Sequence, residues 1–78
     1  MFTSDANVVV HVDEALTDEQ IHDMEKQLSS VEGVTSACVH ERTPHLFVID
    51  YDPRSTHTGK LLQEVKSRHL NAKLIGGV

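Results

Sequence analysis

Tryptophan is absent from the 78 residues, and cysteine and tyrosine occur once each. A single cysteine excludes an internal disulfide and a cysteine-only zinc site. With two phenylalanines and one tyrosine, the strands lack the aromatic platform on which sheet modules stack RNA bases. Basic side chains are also scarce: seven Lys and Arg stand against twelve Asp and Glu, a net charge of −5. Nothing in that balance neutralises a run of phosphates, so nucleic acid is excluded as a general partner. Lys60, Lys66, Arg68 and Lys73 form the nearest approach to a basic cluster and read as a solvated helix face. The longest apolar runs, Val8–Val10 and Leu46–Ile49, fall far short of the roughly 20 residues that span a membrane. Met1 to Asp5 carries neither the basic nor the apolar segment of a secretory leader. The expectation is one cytoplasmic domain over residues 1–78, with no membrane or nucleic-acid partner. A chain this short buries only about 60% of its unfolded surface, so the core must be compact and regular.

Histidine is what the sequence has in excess, six in all. Free imidazole titrates near 6.5. Protonating all six would move the charge from −5 to +1.

Hydrophobic periodicity divides the chain into six elements. Val8-Val9-Val10-His11-Val12 is short and β-branched and predicts a strand. Thr17-Asp18-Glu19-Gln20 fits a capping box, in which the threonine hydroxyl and the glutamine side chain each satisfy a backbone N–H of the first turn. Asp18 and Glu19 suit the positive end of the helix dipole. Ile21, Met24, Leu28 and Val31 follow at helical spacing, and Gly33 supplies a left-handed stop, so a helix is predicted over about 18–32. Val34–Glu41 alternates weakly as a second strand, and Arg42-Thr43-Pro44-His45 is a turn. Leu46–Tyr51 is the third strand and the richest in β-formers. Asp52-Pro53-Arg54 ends it. Ser55 is the expected cap of a second helix reaching about Arg68, with Leu61, Leu62 and Val65 inward and Gly59 weakening its first turns. Ala72–Ile75 is a short last strand, and Gly76-Gly77-Val78 a frayed end.

The order βαββαβ, with right-handed crossovers, predicts an α+β ferredoxin-like sandwich: a four-stranded antiparallel sheet, order 4-1-3-2, with both helices on one face. Alternation sends Val8, Val10, Val12, Val39, Phe47, Ile49 and Leu74 towards the helices. The outer face receives Val9, His11, Cys38, His40, Leu46, Val48 and Ile75. Several apolar residues on a face that is usually solvated point to a partner or a dimer, or to ordinary surface aliphatics.

Five stretches resemble the heavy-metal-associated domains of copper chaperones and metal-pumping ATPases. They are His11-Val12-Asp13-Glu14, Met24-Glu25-Lys26-Gln27-Leu28, Glu32-Gly33-Val34, Val48-Ile49-Asp50-Tyr51-Asp52-Pro53 and Ala72-Lys73-Leu74-Ile75. They follow that family's order and spacing over about Val8 to Gly76. The resemblance implies the same sandwich and a metal loop, G-M-x-C-x-x-C, between the first strand and the first helix. In that register Glu14 and Ala15 stand at the glycine and methionine, and Thr17 and Gln20 stand at the two cysteines. Paired thiolates at a helix start suit a soft ion such as Cu(I); a hydroxyl and an amide cannot replace them.

The topology gathers His11, His40, His45 and His69 towards the end that holds Asp13, Glu14 and Glu41. His22 lies a turn into the first helix, and His57 lies at the other end. Imidazole and carboxylate ligands suit Zn(II), Ni(II) or Cu(II), so a substitute site would draw on His11, His40, His45, His69, Asp13 and Glu14. Geometry restrains it. The third strand separates His11 from His40 by two strand spacings, about 9.6 Å, no pair has the spacing of a recognised zinc motif, and His11 is placed where a strand residue faces water. Cys38 and His40 share a face, but an outer sheet face offers neither pocket nor oxyanion hole, so no catalytic set is expected. Two functions stay open. One is a non-enzymatic module handling metal by histidine and carboxylate. The other is a metal-independent protein-interaction or homodimerisation module using the outer sheet face.

Overall fold

The computed structural model describes residues 5–39 and 42–77. Its elements are β1 (Ala6–Val12), α1 (Asp18–Ser29), β2 (Val34–Val39), β3 (Leu46–Tyr51), α2 (Thr58–Lys66) and β4 (Ala72–Gly77). The strands form one antiparallel sheet in the order β2-β3-β1-β4. This is the expected ferredoxin-like sandwich, read from the opposite edge. No helix among the described residues is long and apolar enough to cross a membrane.

Alternation sorts the strands into two faces. Val8, Val10 and Val12 from β1 and Phe47, Ile49 and Tyr51 from β3 are buried against Met24 and Leu28 of α1 and Leu61 and Val65 of α2. Each fully buried aliphatic or aromatic side chain contributes about 1.5–3 kcal/mol relative to exposure. Val39 and Leu62 pack at the margin of this core. Polar contacts tie the helices to their neighbours: the Gln27 amide donates to the Glu64 carbonyl at 3.1 Å and its oxygen accepts from the Arg68 guanidinium, while the Glu25 carboxylate accepts from the Val39 N–H at 3.0 Å.

The structure departs from the sequence expectation at several points, each for a local reason. First, α1 stops at Ser29 rather than near Glu32, because Ser30 turns its hydroxyl onto the Gln27 carbonyl at 2.6 Å. Gly33, at φ 94°, therefore serves the turn into β2 rather than the helix end. A Cβ there would lie 2.7 Å from the Ser55 Cβ, so the position also needs the missing side chain.

Second, the cap of α2 is His57, whose side chain accepts the Lys60 N–H at 3.2 Å. Ser55 is instead held in the preceding turn by its N–H to the Asp52 carbonyl, 3.0 Å. Gly59 explains why an imidazole fits. A Cβ at that position would stand 3.2 Å from His57 Nδ1, so the residue that weakens the helix by propensity makes room for its cap.

Third, β4 continues to Gly77. Val9 pairs with Gly76 and Val10 with Leu74, which leaves Ile75 as the extra residue of a β-bulge. Fourth, Leu74, expected in the core, is 39% exposed. It lies on an edge strand, where the core ends. The expected last residues of the second strand, His40 and Glu41, lie outside the described residues, as does Val78.

Candidate metal centre

The candidate residues gather where β1 ends. His11 points to the outer face opposite Leu46 of β3. One position further along β1, the Val12 N–H donates to the His45 carbonyl at 2.9 Å. His45 precedes β3, in a turn closed by the Leu46 N–H on the Thr43 carbonyl at 3.0 Å, so strand alternation does not fix its side chain. Its Nδ1 lies 2.8 Å from the Val12 carbonyl. A carbonyl can only accept, so Nδ1 is the donor in this contact, and in the neutral ring that leaves Nε2 with the lone pair.

That contact lays the His45 ring beside His11. The two ring centres are 5.8 Å apart, with planes inclined by only 19°. His11 Nδ1 stands 3.1 Å from an Asp13 carboxylate oxygen. It is sealed from solvent and makes no aligned hydrogen bond. The ring is half-buried rather than facing water, its side chain 33% exposed.

The other candidates serve the backbone. Glu14 clasps the loop before β4, its carboxylate accepting from the Asn71 N–H at 2.9 Å and the Asn71 side-chain amide at 2.8 Å. Asp13 adds a backbone bond to the Asn71 carbonyl at 2.8 Å. His69 closes the end of α2 with φ 63° and donates its N–H to the Lys66 carbonyl at 2.9 Å. His40 lies outside the described residues. Away from this end, His22 stands 3.8 Å from Glu25 on α1, and Cys38 is an exposed free thiol. Among the described residues, no three His, Cys, Asp or Glu side chains come close enough to hold an ion together.

Thr17 and Gln20 are committed elsewhere. The Thr17 hydroxyl accepts from the Gln20 N–H at 3.1 Å, and the Gln20 side-chain oxygen accepts from the Thr17 N–H at 2.9 Å. The capping box is complete and leaves no soft donor at the helix start. Cu(I) held by thiolates in this loop does not fit these residues. A small cavity of about 150 Å³ lies beneath it, lined by Leu16, Gln20, Met24, Arg68 and Leu70.

The sequence reading missed the Glu14–Asn71 clasp and the His45–Val12 bond. The first joins residues 57 apart and the second residues 33 apart. Only the strand register, which sets His11 against Leu46, could have signalled the second.

No protein-family model matches the chain, and no curated protein matches it. Solved structures do. The N-terminal domain of a potential copper-translocating P-type ATPase from Bacillus subtilis, in the Cu(I)-loaded state, superposes with a TM-score of 0.84 at 20% identity, over 96% of this chain and 92% of that one. Oxidised MerP from Ralstonia metallidurans CH34 gives 0.81 at 20% identity, over 94% and 100%. The copper chaperone of Enterococcus hirae, in its apo form, gives 0.77 at 15% identity, over 87% and 98%. At these identities the likeness establishes the fold: the chain has the ferredoxin-like βαββαβ architecture found in copper-carrying domains.

Proposed function

We propose that the chain is a divergent heavy-metal-associated-type module, cytoplasmic and non-enzymatic, that takes up a divalent transition-metal ion through imidazole nitrogen instead of thiolate. The observation that carries this reading is the His11–His45 pair. A metal-binding histidine turns its second ring nitrogen to a carbonyl or carboxylate, which fixes the tautomer and aims the free nitrogen. His45 does so with the Val12 carbonyl and His11 faces Asp13. Rings inclined by only 19° do not aim both lone pairs at one point, so uptake requires one ring to turn; the 5.8 Å between ring centres keeps both imidazoles within reach of an ion bound at about 2.0–2.1 Å from each nitrogen. Imidazole donors favour Zn(II), Ni(II) or Cu(II) over Cu(I). In this reading Asp13 orients a ligand, and Glu14, bonded to Asn71, shapes the loop.

Calorimetry with Zn(II), Ni(II) and Cu(II) on the untagged chain, followed by NMR, tests it. The His11 and His45 resonances should shift together, and the Thr17 and Gln20 amides should not. Binding no tighter than that of an unfolded histidine-rich peptide would overturn the reading.

A second reading has its own support. Val9, Leu46 and Val48 are half-buried on a sheet face that no helix covers. A protein-interaction face built on them would survive a chelator, whereas a histidine-bridged assembly would dissociate.

A further inference from the structure

We infer that β2, an open edge of the sheet, takes up an extended segment of another protein, bearing lysine or arginine, as an added strand. The inference goes beyond the metal reading and uses neither histidine of the pair. Backbone geometry is its first support. The Val12 N–H donates to the His45 carbonyl, and Val10 and Val8 of β1 lie opposite Phe47 and Ile49 of β3. Hydrogen-bonded and open pairs alternate along an antiparallel ladder, so His45, Phe47 and Ile49 turn their backbone groups to β1. Their partners in β2 are Val39, opposite Phe47, and Ala37, opposite Ile49. These two therefore turn their backbone groups away from β3, to the open edge. The Val39 N–H agrees with this: it donates to the Glu25 carboxylate of α1 at 3.0 Å. A side-chain oxygen stands where the carbonyl of a further strand would.

The two edges of the sheet differ, which is the second support. β4 carries Lys73 and a bulge at Ile75, devices that keep an edge from pairing. β2 holds no charged residue, proline or glycine, and its register shifts only at its start, between Val34 and Ser36. An edge of that makeup is a template for strand addition, in which main-chain hydrogen bonds supply affinity and alternate side chains supply selectivity.

Charge names the occupant. The uncharged strand is ringed by carboxylates: Thr35 donates to Asp5 at 2.9 Å, Ser36 to Asp50 at 2.9 Å, and Val39 to Glu25. Among the described residues none of the three carboxylates has a lysine or arginine within ion-pair distance. A second copy of this chain would bring the same carboxylates and a further −5, whereas a basic segment brings their complement. Once an incoming carbonyl takes the Val39 N–H, Glu25 is released to pair with a basic side chain on the helix side of the added strand.

An NMR titration of the isotope-labelled chain in EDTA, with a short blocked peptide of alternating lysine and valine, tests the inference. The Ala37 and Val39 amides should shift together, the Ala37 amide should exchange more slowly, and binding should weaken as salt rises. A glutamate–valine peptide should not bind. An N-methylated lysine–valine peptide keeps the charge, loses its backbone donors, and should not bind either. Ala37→Pro, checked for folding by circular dichroism, removes an N–H that β3 does not use and should abolish uptake. Glu25→Gln keeps an acceptor for Val39 and should weaken binding by up to about fivefold, the scale of an exposed ion pair. Equal binding of the N-methylated peptide overturns strand addition, and equal binding of the glutamate peptide overturns the choice of occupant. Shifts centred on β4 overturn the choice of edge. No binding overturns the inference and, with EDTA present throughout, leaves the metal reading standing.

Discussion

Phe47 and Leu46 are neighbours in sequence and opposites in surroundings. Phe47 is 0% exposed beneath the helices, whereas Leu46 lies half-buried on the open face beside His11. The same contrast runs along β1, where Val8, Val10 and Val12 are buried and Val9 and His11 are not. On the proposed reading the two faces have different tasks. The covered face is filled mainly by apolar side chains and fixes the fold. The open face keeps an apolar strip but places a stacked histidine pair at its end, which folding by itself does not require. The comparison predicts that substitutions on the covered face change stability, while those around the histidines change binding.

The largest effect expected is from Phe47→Ala. Truncating a fully buried phenylalanine costs about 3–5 kcal/mol, a large part of the stability of a domain this small. Urea denaturation should show a much lower midpoint with little change in slope. A loss no greater than that of Leu46→Ala would erase the distinction between the faces.

Asp13→Asn examines the open side. The amide keeps the size but loses the charge beside His11 Nδ1. Replacing an outer-shell partner of a metal-bound histidine typically lowers affinity about 10–100-fold. Zinc calorimetry should register that loss, and the denaturation midpoint should barely move. Unchanged affinity would show that Asp13 has no part in orienting the ring.

Much of this contrast was legible in the sequence because it rests on short-range periodicity. Leu46–Tyr51, the stretch richest in β-formers, is β3 to the residue, and Thr17 with Gln20 reads directly as a box because both partners lie within one turn. The start of α2 was less legible. Serine is a commoner cap than histidine, and Ser55 was already engaged in the Asp52 turn. The bulge that carries β4 on to Gly77 depends on β1 across the sheet. The site was legible only as a set of residues gathered at one end. Which two histidines meet is decided by the register of β1 on β3 and by a turn that frees His45 from alternation. Glu14, a ligand candidate by its chemistry, is drawn off by an asparagine 57 residues away.

Thr17→Ala probes the junction between the faces. Loss of an N-cap side chain costs about 1 kcal/mol (range 0.5–2). Thermal or urea unfolding should show that decrease while zinc affinity stays the same, since the box holds α1 and no ion. A fall in zinc affinity larger than the fall in stability would return this loop to the site and weaken the assignment to the open face.

The smallest effect belongs to a residue on neither face. Asp52 follows β3, and its carboxylate accepts from the Arg54 N–H at 2.9 Å and from its guanidinium at 3.1 Å. The Arg54 side-chain hydrogen bond, followed by its backbone bond, holds the Asp52 carboxyl below the usual carboxylate range. A lowered folded-state pKa contributes stability above the unfolded value of about 3.9, and that contribution disappears as pH falls through the folded value. The pair is exposed and screened, so the contribution is small. Asp52→Asn keeps a side-chain oxygen for the turn and removes the titration. Urea midpoints at pH 7 should nearly coincide for the two proteins, and the wild type should lose slightly more of its midpoint between pH 4 and pH 2. Zinc affinity at neutral pH should be identical, because neither sheet face is touched. If Asp52→Asn instead shifts metal binding, the separation of a structural face from a binding face fails at the turn that joins them.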